Sequence, residues 1–248
     1  WIRIRSFNVV WIPRGINWRK NRIISLKENK KGNKKNIRNL LKYDPYDFFH
    51  SEELKILKNH DEIKGIKLNP EEIEISKMLN ETEKTYLTSN KSYEMYYSGK
   101  DAFTSIIQDI KNAKKSILME YFIWRSDELG EQIKNLLLEK ATQGLEIKIL
   151  FDGLGSMGTI SKKYRKELSE VGVEFRYFLD IKFSILKFNY RNHRKMTIID
   201  HKILHTGGMN LGEEYITGGK KFETWRDTNA RIEGEIVNQY LTIFFTDW

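Results

Sequence analysis

A chain of 248 residues, 40% hydrophobic and 31% charged, has enough apolar material for one large α/β domain. At a mean hydropathy of −0.59 it is too polar for a protein held within a bilayer core. Cysteine is absent, which excludes disulfides and thiolate metal sites and is compatible with a reducing cytoplasm. The net charge of +9 is unevenly placed: residues 1–42 hold thirteen Lys/Arg and one acid, residues 43–90 six and eleven, and residues 91–248 twenty-four and twenty-two.

The chain opens on Trp1 and closes on Trp248, after an apolar helical run of Ile236, Tyr240, Leu241, Phe244 and Phe245, so it reads as a fragment cut at both ends. No stretch approaches the roughly 18 apolar residues of a transmembrane helix, and the opening WIRIRSFNVVWI is interrupted by Arg3 and Arg5. Residues 1–42 end in the basic run LKENKKGNKKNIRNLLK. Three readings stay open for it: a flexible linker, a juxtamembrane segment held by anionic lipid at about 1 kcal/mol per cation, or a nucleic-acid contact of the same composition. Residues 43–90 read as short acidic helices with breaks at Pro45 and Pro70. From about Lys91 the pattern changes to alternating strands and helices.

In that part, residues 103–115 place Phe103, Ile106, Ile107 and Ile110 on one helical face, and SILMEYFIW (116–124) is a continuous apolar strand carrying one acid, Glu120. A helix over 127–142, a strand over 146–152, a helix over 161–170 and a strand over 173–178 follow, then a loop through 179–192. Two strands, 195–200 and 202–207, lead to TWRDTNARIEG (224–234) and a closing helix. Such alternation predicts a β-sheet covered by helices on both faces.

The segment NHRKMTIIDHKILHTGGMNLGEEY (192–215) places His193, Lys195 and Asp200 at H-x-K-x4-D spacing, followed by Gly207, Gly208 and Asn210. On a strand, His193 and Lys195 project from one face about 7 Å apart. One phosphate can then meet a nucleophilic imidazole and a fixed cation. Asp200 has the opposite parity, which predicts support more than contact. Gly207 and Gly208 leave backbone open to a ligand, and Asn210 can donate an amide N–H to a phosphate oxygen. The ordinary alternative is a surface histidine beside a solvated lysine. Two glycines and an asparagine at fixed offsets weigh against it.

These residues resemble the phospholipase D superfamily, whose pattern is H-x-K-x4-D-x6-G-[SG]-x-N. The likeness runs from about Ser92 to Trp248. Within the superfamily YRNHRKMTIID, HTGGMNLGEEY, WRDTNARIEG, MEYFIW and ILFDGLGS are most similar to bacterial cardiolipin synthases. The resemblance implies a phospholipase-D-like mixed sheet over 91–248 (the first catalytic half), preceded by a basic juxtamembrane-like segment (1–42) and an acidic helical linker (43–90). It implies His193, Lys195 and Asp200 as catalytic residues, and Asn210, Gly207 and Gly208 as substrate-binding ones. Asp227 would orient an active-site histidine, the alternative being a salt bridge to Arg226 or Arg231. Glu120 and Asp152 read as a paired core acid and a strand-end turn residue.

The implied chemistry needs no metal or organic cofactor: two phosphatidylglycerols become cardiolipin and glycerol through a phosphohistidine. Hydrolysis of a phosphodiester, as by a phospholipase D or a nuclease, and a non-catalytic module that docks on anionic lipid are the alternatives. Superfamily sites pair two histidine-lysine motifs, and only one stands here, since His50, His60, His201 and His205 lack the spacing. A second half, in the same intact chain or in a dimer, is therefore the expected partner, along with anionic phospholipid and a membrane surface; nucleic acid is not. The expected location is the bacterial cell membrane with the catalytic part on the cytoplasmic side, any transmembrane helix lying outside this fragment.

Overall fold

A computed structural model describes residues 68–248 apart from 84, 157, 179–190 and 220–222. The basic 1–42 segment, Pro45 and most of the 179–192 loop lie outside the described residues. The chain divides into two units, Trp1–Leu87 and Thr88–Trp248. In the first, helix α1 spans Pro70–Glu83. Pro70 begins this helix, as suits a residue whose missing N–H would have no intrahelical partner. Asn69 closes a reciprocal cap: Glu72 N donates to Asn69 Oδ1 at 2.9 Å and Asn69 N to Glu72 Oε2 at 2.9 Å.

The second unit runs β1 (Asn90–Tyr96), α2 (Gly99–Asn112), β2 (Ser116–Tyr121), α3 (Glu128–Thr142), β3 (Glu146–Asp152), α4 (Lys162–Glu170), β4 (Glu174–Phe178), β5 (Lys195–Ile199), β6 (Ile203–Gly207), α5 (Glu214–Thr217), β7 (Asn229–Gly234) and α6 (Ile236–Asp247). Side-chain caps at Ser98, Asp127 and Ser161 start α2, α3 and α4. Gly144 and Gly172, both at φ +86°, provide the left-handed turn just beyond α3 and α4.

The strands form one mixed sheet in the order β1-β7-β6-β5-β2-β3-β4. The β2-β3-β4 side is parallel and joined by helical crossovers, while β5, β6, β7 and β1 run antiparallel to their neighbours. β2 is buried along its whole length, as its unbroken apolar run predicts.

Alternation splits β2 between two cores. Ile117, Met119 and Tyr121 pack with Phe103 and Ile106 of α2, Ile133 and Leu137 of α3, and Tyr164 and Leu168 of α4. Leu118 and Glu120 face the opposite side, where buried Leu150, Met196, Ile198 and Leu204 meet the apolar stripe of α6: Val237, Tyr240, Leu241 and Phe244. This two-sided cover makes the centre of the sheet a rigid platform. The polar edge strand β1, with Tyr93 exposed, has too little apolar alternation to stand out in the sequence. Among the described residues no helix is long and apolar enough to cross a membrane.

β5 and β6 are joined by a two-residue turn in which Asp200 and His201 take φ +53° and +57° and Lys202 N donates to Ile199 O at 2.9 Å. Positive φ at both central residues is the type I′ geometry, whose twist matches that of a hairpin. Aspartate tolerates this conformation better than most residues.

Candidate active site

The site lies at the start of β5, where it meets the end of β2. Lys195 is the first residue of β5 and pairs with Tyr121; His193 stands two residues before the strand, between Asn192 and Arg194, whose N–H closes onto Asn192 Oδ1 at 3.0 Å, and not inside the strand as the spacing suggested. Lys195 shares its parity with Thr197, whose Oγ1 lies 2.9 Å from the Tyr121 hydroxyl, and so belongs to the α2-α3 side of the sheet.

Both candidate side chains gather about one ring, Phe122. The His193 ring centroid lies 4.7 Å from that of Phe122, and Lys195 Nζ lies 5.4 Å from it. Lys195 Nζ also donates to the His193 carbonyl at 2.7 Å. Phe122 fits here because Gly155 has no side chain: a Cβ at Gly155 would stand 2.3 Å from the Phe122 carbonyl oxygen and 2.9 Å from its ring. Ser156 Oγ fixes the same loop, donating to Phe122 O and accepting from Trp124 N, both at 3.1 Å.

The electrostatics differ between the two groups. Lys195 is 4% exposed, and burial pulls its ammonium down to about 8, against a smaller upward pull from the Asp227 carboxylate. His193 is exposed. Partial desolvation, then the Lys195 charge, hold its imidazole below the usual histidine range, with Asp152 opposing. At neutral pH the pair is a neutral imidazole next to an under-solvated cation. The first can attack phosphorus; the second attracts the phosphate oxygens.

The remaining sequence candidates are each tied to other parts of the protein. Asp200 sits just past the other end of β5, roughly 17 Å of chain from Lys195. Its carboxylate accepts from the backbone of Lys114 (2.9 and 3.1 Å), Lys115 (2.7 Å) and Ser116 (3.0 Å). That is a tie between the β5-β6 turn and the start of β2, on the side its opposite parity predicts.

Gly207 and Gly208 leave room for protein. A Cβ at Gly207 would stand 2.2 Å from Thr228 O, and one at Gly208 2.1 Å from Asp227 Oδ1. The glycines therefore let β7 and the Asp227 carboxylate approach. Asn210 is buried; its Oδ1 accepts from Ile123 N at 3.0 Å and its Nδ2 donates to Tyr215 Oη at 2.8 Å. One of its two amide hydrogens is thus directed inside the protein, and the side chain holds the loop that carries Phe122.

Asp227 acts on Lys195 through its charge and accepts from Thr228 N at 2.7 Å. The carboxylate felt by His193 is that of Asp152. Asp152 is a strand-end turn residue: Oδ1 accepts from Leu154 N and Gly155 N at 2.9 Å, and Oδ2 accepts from Asn192 N at 3.1 Å. Arg231 is engaged elsewhere, with Asp109 and Glu233, and Asp109 also holds the buried His205 at 2.7 Å. Burial pushes the His205 imidazole below its usual range, so it is a core histidine held through Nε2, apart from the site.

Two features escaped the sequence reading. Phe122 looked like one more apolar residue of a strand. Asn192 and Arg194, on either side of His193, are held on the face opposite it: Asn192 Nδ2 donates to Glu120 and, at 3.0 Å, to Asp247 Oδ2, and Arg194 pairs with Asp247. Their spacing in the sequence is too wide for any local signal. Among the described residues no three His, Asp or Glu side chains converge to hold a metal.

A mixed sheet between helical layers with this histidine-lysine pair is the phospholipase-D-like class. Two solved structures share the fold: Nuc of Salmonella typhimurium, a phospholipase D family member (TM-score 0.51, 19% identity, 63% of this chain and 93% of that one), and a phosphatidylserine synthase of Haemophilus influenzae (TM-score 0.53, 18% identity, 70% and 41%). Residues 106–248 match the family described as "Cardiolipin synthase, PLD-like domain", and the chain belongs to that family. A cardiolipin synthase of Oceanobacillus iheyensis is 40% identical over 162 residues, covering 65% of this chain and 34% of that protein. The chain spans about a third of the length of the curated relatives it matches.

Proposed function

We propose that this chain supplies one half of the active site of a phosphatidyltransferase that makes cardiolipin from two phosphatidylglycerols. The imidazole of His193 attacks phosphorus of the first lipid, a phosphohistidine bond forms, and the bond to the glycerol headgroup breaks. Glycerol leaves with a proton supplied by the histidine of a second phospholipase-D-like half. A headgroup hydroxyl of the second phosphatidylglycerol then attacks the same phosphorus, gives its proton to that histidine, and releases His193 and cardiolipin. Lys195 draws the non-bridging oxygens and stabilises their charge as it builds up. Asn210, with one amide hydrogen left over, is the second donor in this reading. Asp200, Gly207, Gly208 and Asp227 shape the site without touching phosphate.

The observation that carries the reading is the pairing of an exposed imidazole, held neutral, with a buried ammonium on one aromatic ring. Membership of the cardiolipin synthase family points the same chemistry at phospholipid. The basic 1–42 segment suits the anionic cytoplasmic face of a bacterial membrane.

Thin-layer analysis of products from phosphatidylglycerol vesicles tests the proposal. Cardiolipin and glycerol are expected from the complete protein, and His193→Ala should lower the rate by about 10⁴-fold or more. Phosphatidic acid as the only product would mean hydrolysis. Undiminished cardiolipin from His193→Ala would remove His193 from the chemistry.

A further inference from the structure

Beneath the segment that carries His193, two acids meet in the core between the sheet and α6. Glu120 is 2% exposed and sits one residue from the end of β2, opposite Met196 of β5 and Leu150 of β3. Asp247 is the last residue of α6, where the helix dipole disfavours a negative charge. The two carboxyl groups converge on one nitrogen, Asn192 Nδ2, which donates to both. As carboxylates neither could donate to the other, and Glu120 Oε2 has no partner, so a bond between them requires one proton on the pair.

With that proton present the cluster is complete. Asn192 Nδ2 donates to both acids, Arg194 balances the remaining charge on Asp247, and Arg194 N donates to Asn192 Oδ1 at 3.0 Å. Asn192 N is latched separately to Asp152. Residues 192 and 194 are thereby fixed on the α6 side, while the ring of His193 between them packs on Phe122 at 4.7 Å and its carbonyl accepts from Lys195 Nζ.

We propose that Glu120 and Asp247 share one proton and form the positioning frame that aims His193, by holding Asn192 and Arg194 on the opposite face. This rests on the reading of His193 as nucleophile for its catalytic consequence, though the geometry stands by itself. Burial, and for Glu120 the neighbouring Asp247 charge, raise both acids above the ordinary carboxylate range, consistent with a retained proton. Neither acid touches substrate. A neutral amide at position 120 can replace the protonated acid, donating to Asp247 and accepting from Asn192, whereas an apolar side chain of similar size cannot.

The test compares Glu120→Gln with Glu120→Leu in the protein, by ring-proton NMR of His193, assigned with His193→Ala, and by cardiolipin formation. Glu120→Gln should keep the His193 signals and a kcat within about threefold of the parent. Glu120→Leu should move or split those signals, leave the buried His205 signals in place, and lower kcat by roughly 100-fold with KM little changed, as misaimed reacting groups do. If Glu120→Leu does not fold, Asn192→Ala replaces it with the same expectation. Unmoved His193 signals in the apolar variant, or a Gln variant as damaged as the Leu one, would overturn the frame. Absence of cardiolipin from the parent protein would instead defeat the functional reading, and the NMR comparison would still decide the positioning.

Discussion

The two ends of β5 carry two members of one sequence motif and treat charge in opposite ways. At the hairpin end, burial pushes the Asp200 carboxyl up, but the N–H groups of Ser116, Lys115 and Lys114 outweigh it and hold the group below its usual range. At the entry end the Lys195 ammonium is buried, donates to one carbonyl, and is pulled down to about 8. A saturated charge fixes structure; an under-satisfied one is available to a ligand, which would complete its hydrogen bonds. With the proposed function, the H-x-K-x4-D spacing encodes a reacting end and an anchoring end on one strand.

Removing the cation should break the comparison most visibly. Lys195→Ala is expected to lower kcat/KM by roughly 10²- to 10³-fold with little change in the unfolding midpoint, measured by vesicle assay and thermal denaturation. Asp200→Ala should do the reverse: a loss of about 2–3 kcal/mol in denaturant unfolding, from stranded N–H groups and from alanine at positive φ, with a much smaller kinetic effect. Equal kinetic damage from the two would erase the distinction. Because the folded Asp200 pKa lies below the ordinary carboxylate value, its stabilisation is present above that value and fades as pH falls through the folded one.

The depressed lysine sharpens the contrast in a pH profile. kcat/KM reports the free enzyme, and the charged form of Lys195 is the active one, so the rate should fall as pH rises through about 8. Lys195→Arg, always protonated, should abolish that alkaline limb even at reduced activity. The smallest effect is expected from Asp227→Asn, which removes the charge that lifts Lys195 and should move the limb to lower pH.

Much of this was legible in the sequence. The β-α-β alternation from Phe103 to Phe178 came from apolar periodicity, and the parity of Asp200 pointed away from phosphate because side chains on a strand alternate. What failed to show was long-range. Glu120, Asn192 and Asp247 are brought together by the pairing of β2 with β5 and the docking of α6, and no local pattern announces such a contact. Gly207 and Gly208 were read as an opening for ligand because a glycine says only that a Cβ is excluded, not by what; here Thr228 and Asp227 exclude it. Phe122 hid inside an apolar run whose last residues leave the strand.

The most direct measurement is capture of the covalent intermediate. Acid-sensitive, base-stable phosphatidyl label, introduced from phosphatidylglycerol and located by mass spectrometry of rapidly quenched protein, should fall on His193 and disappear in His193→Ala. Turnover with no adduct at that residue, or with the label elsewhere, would contradict the account.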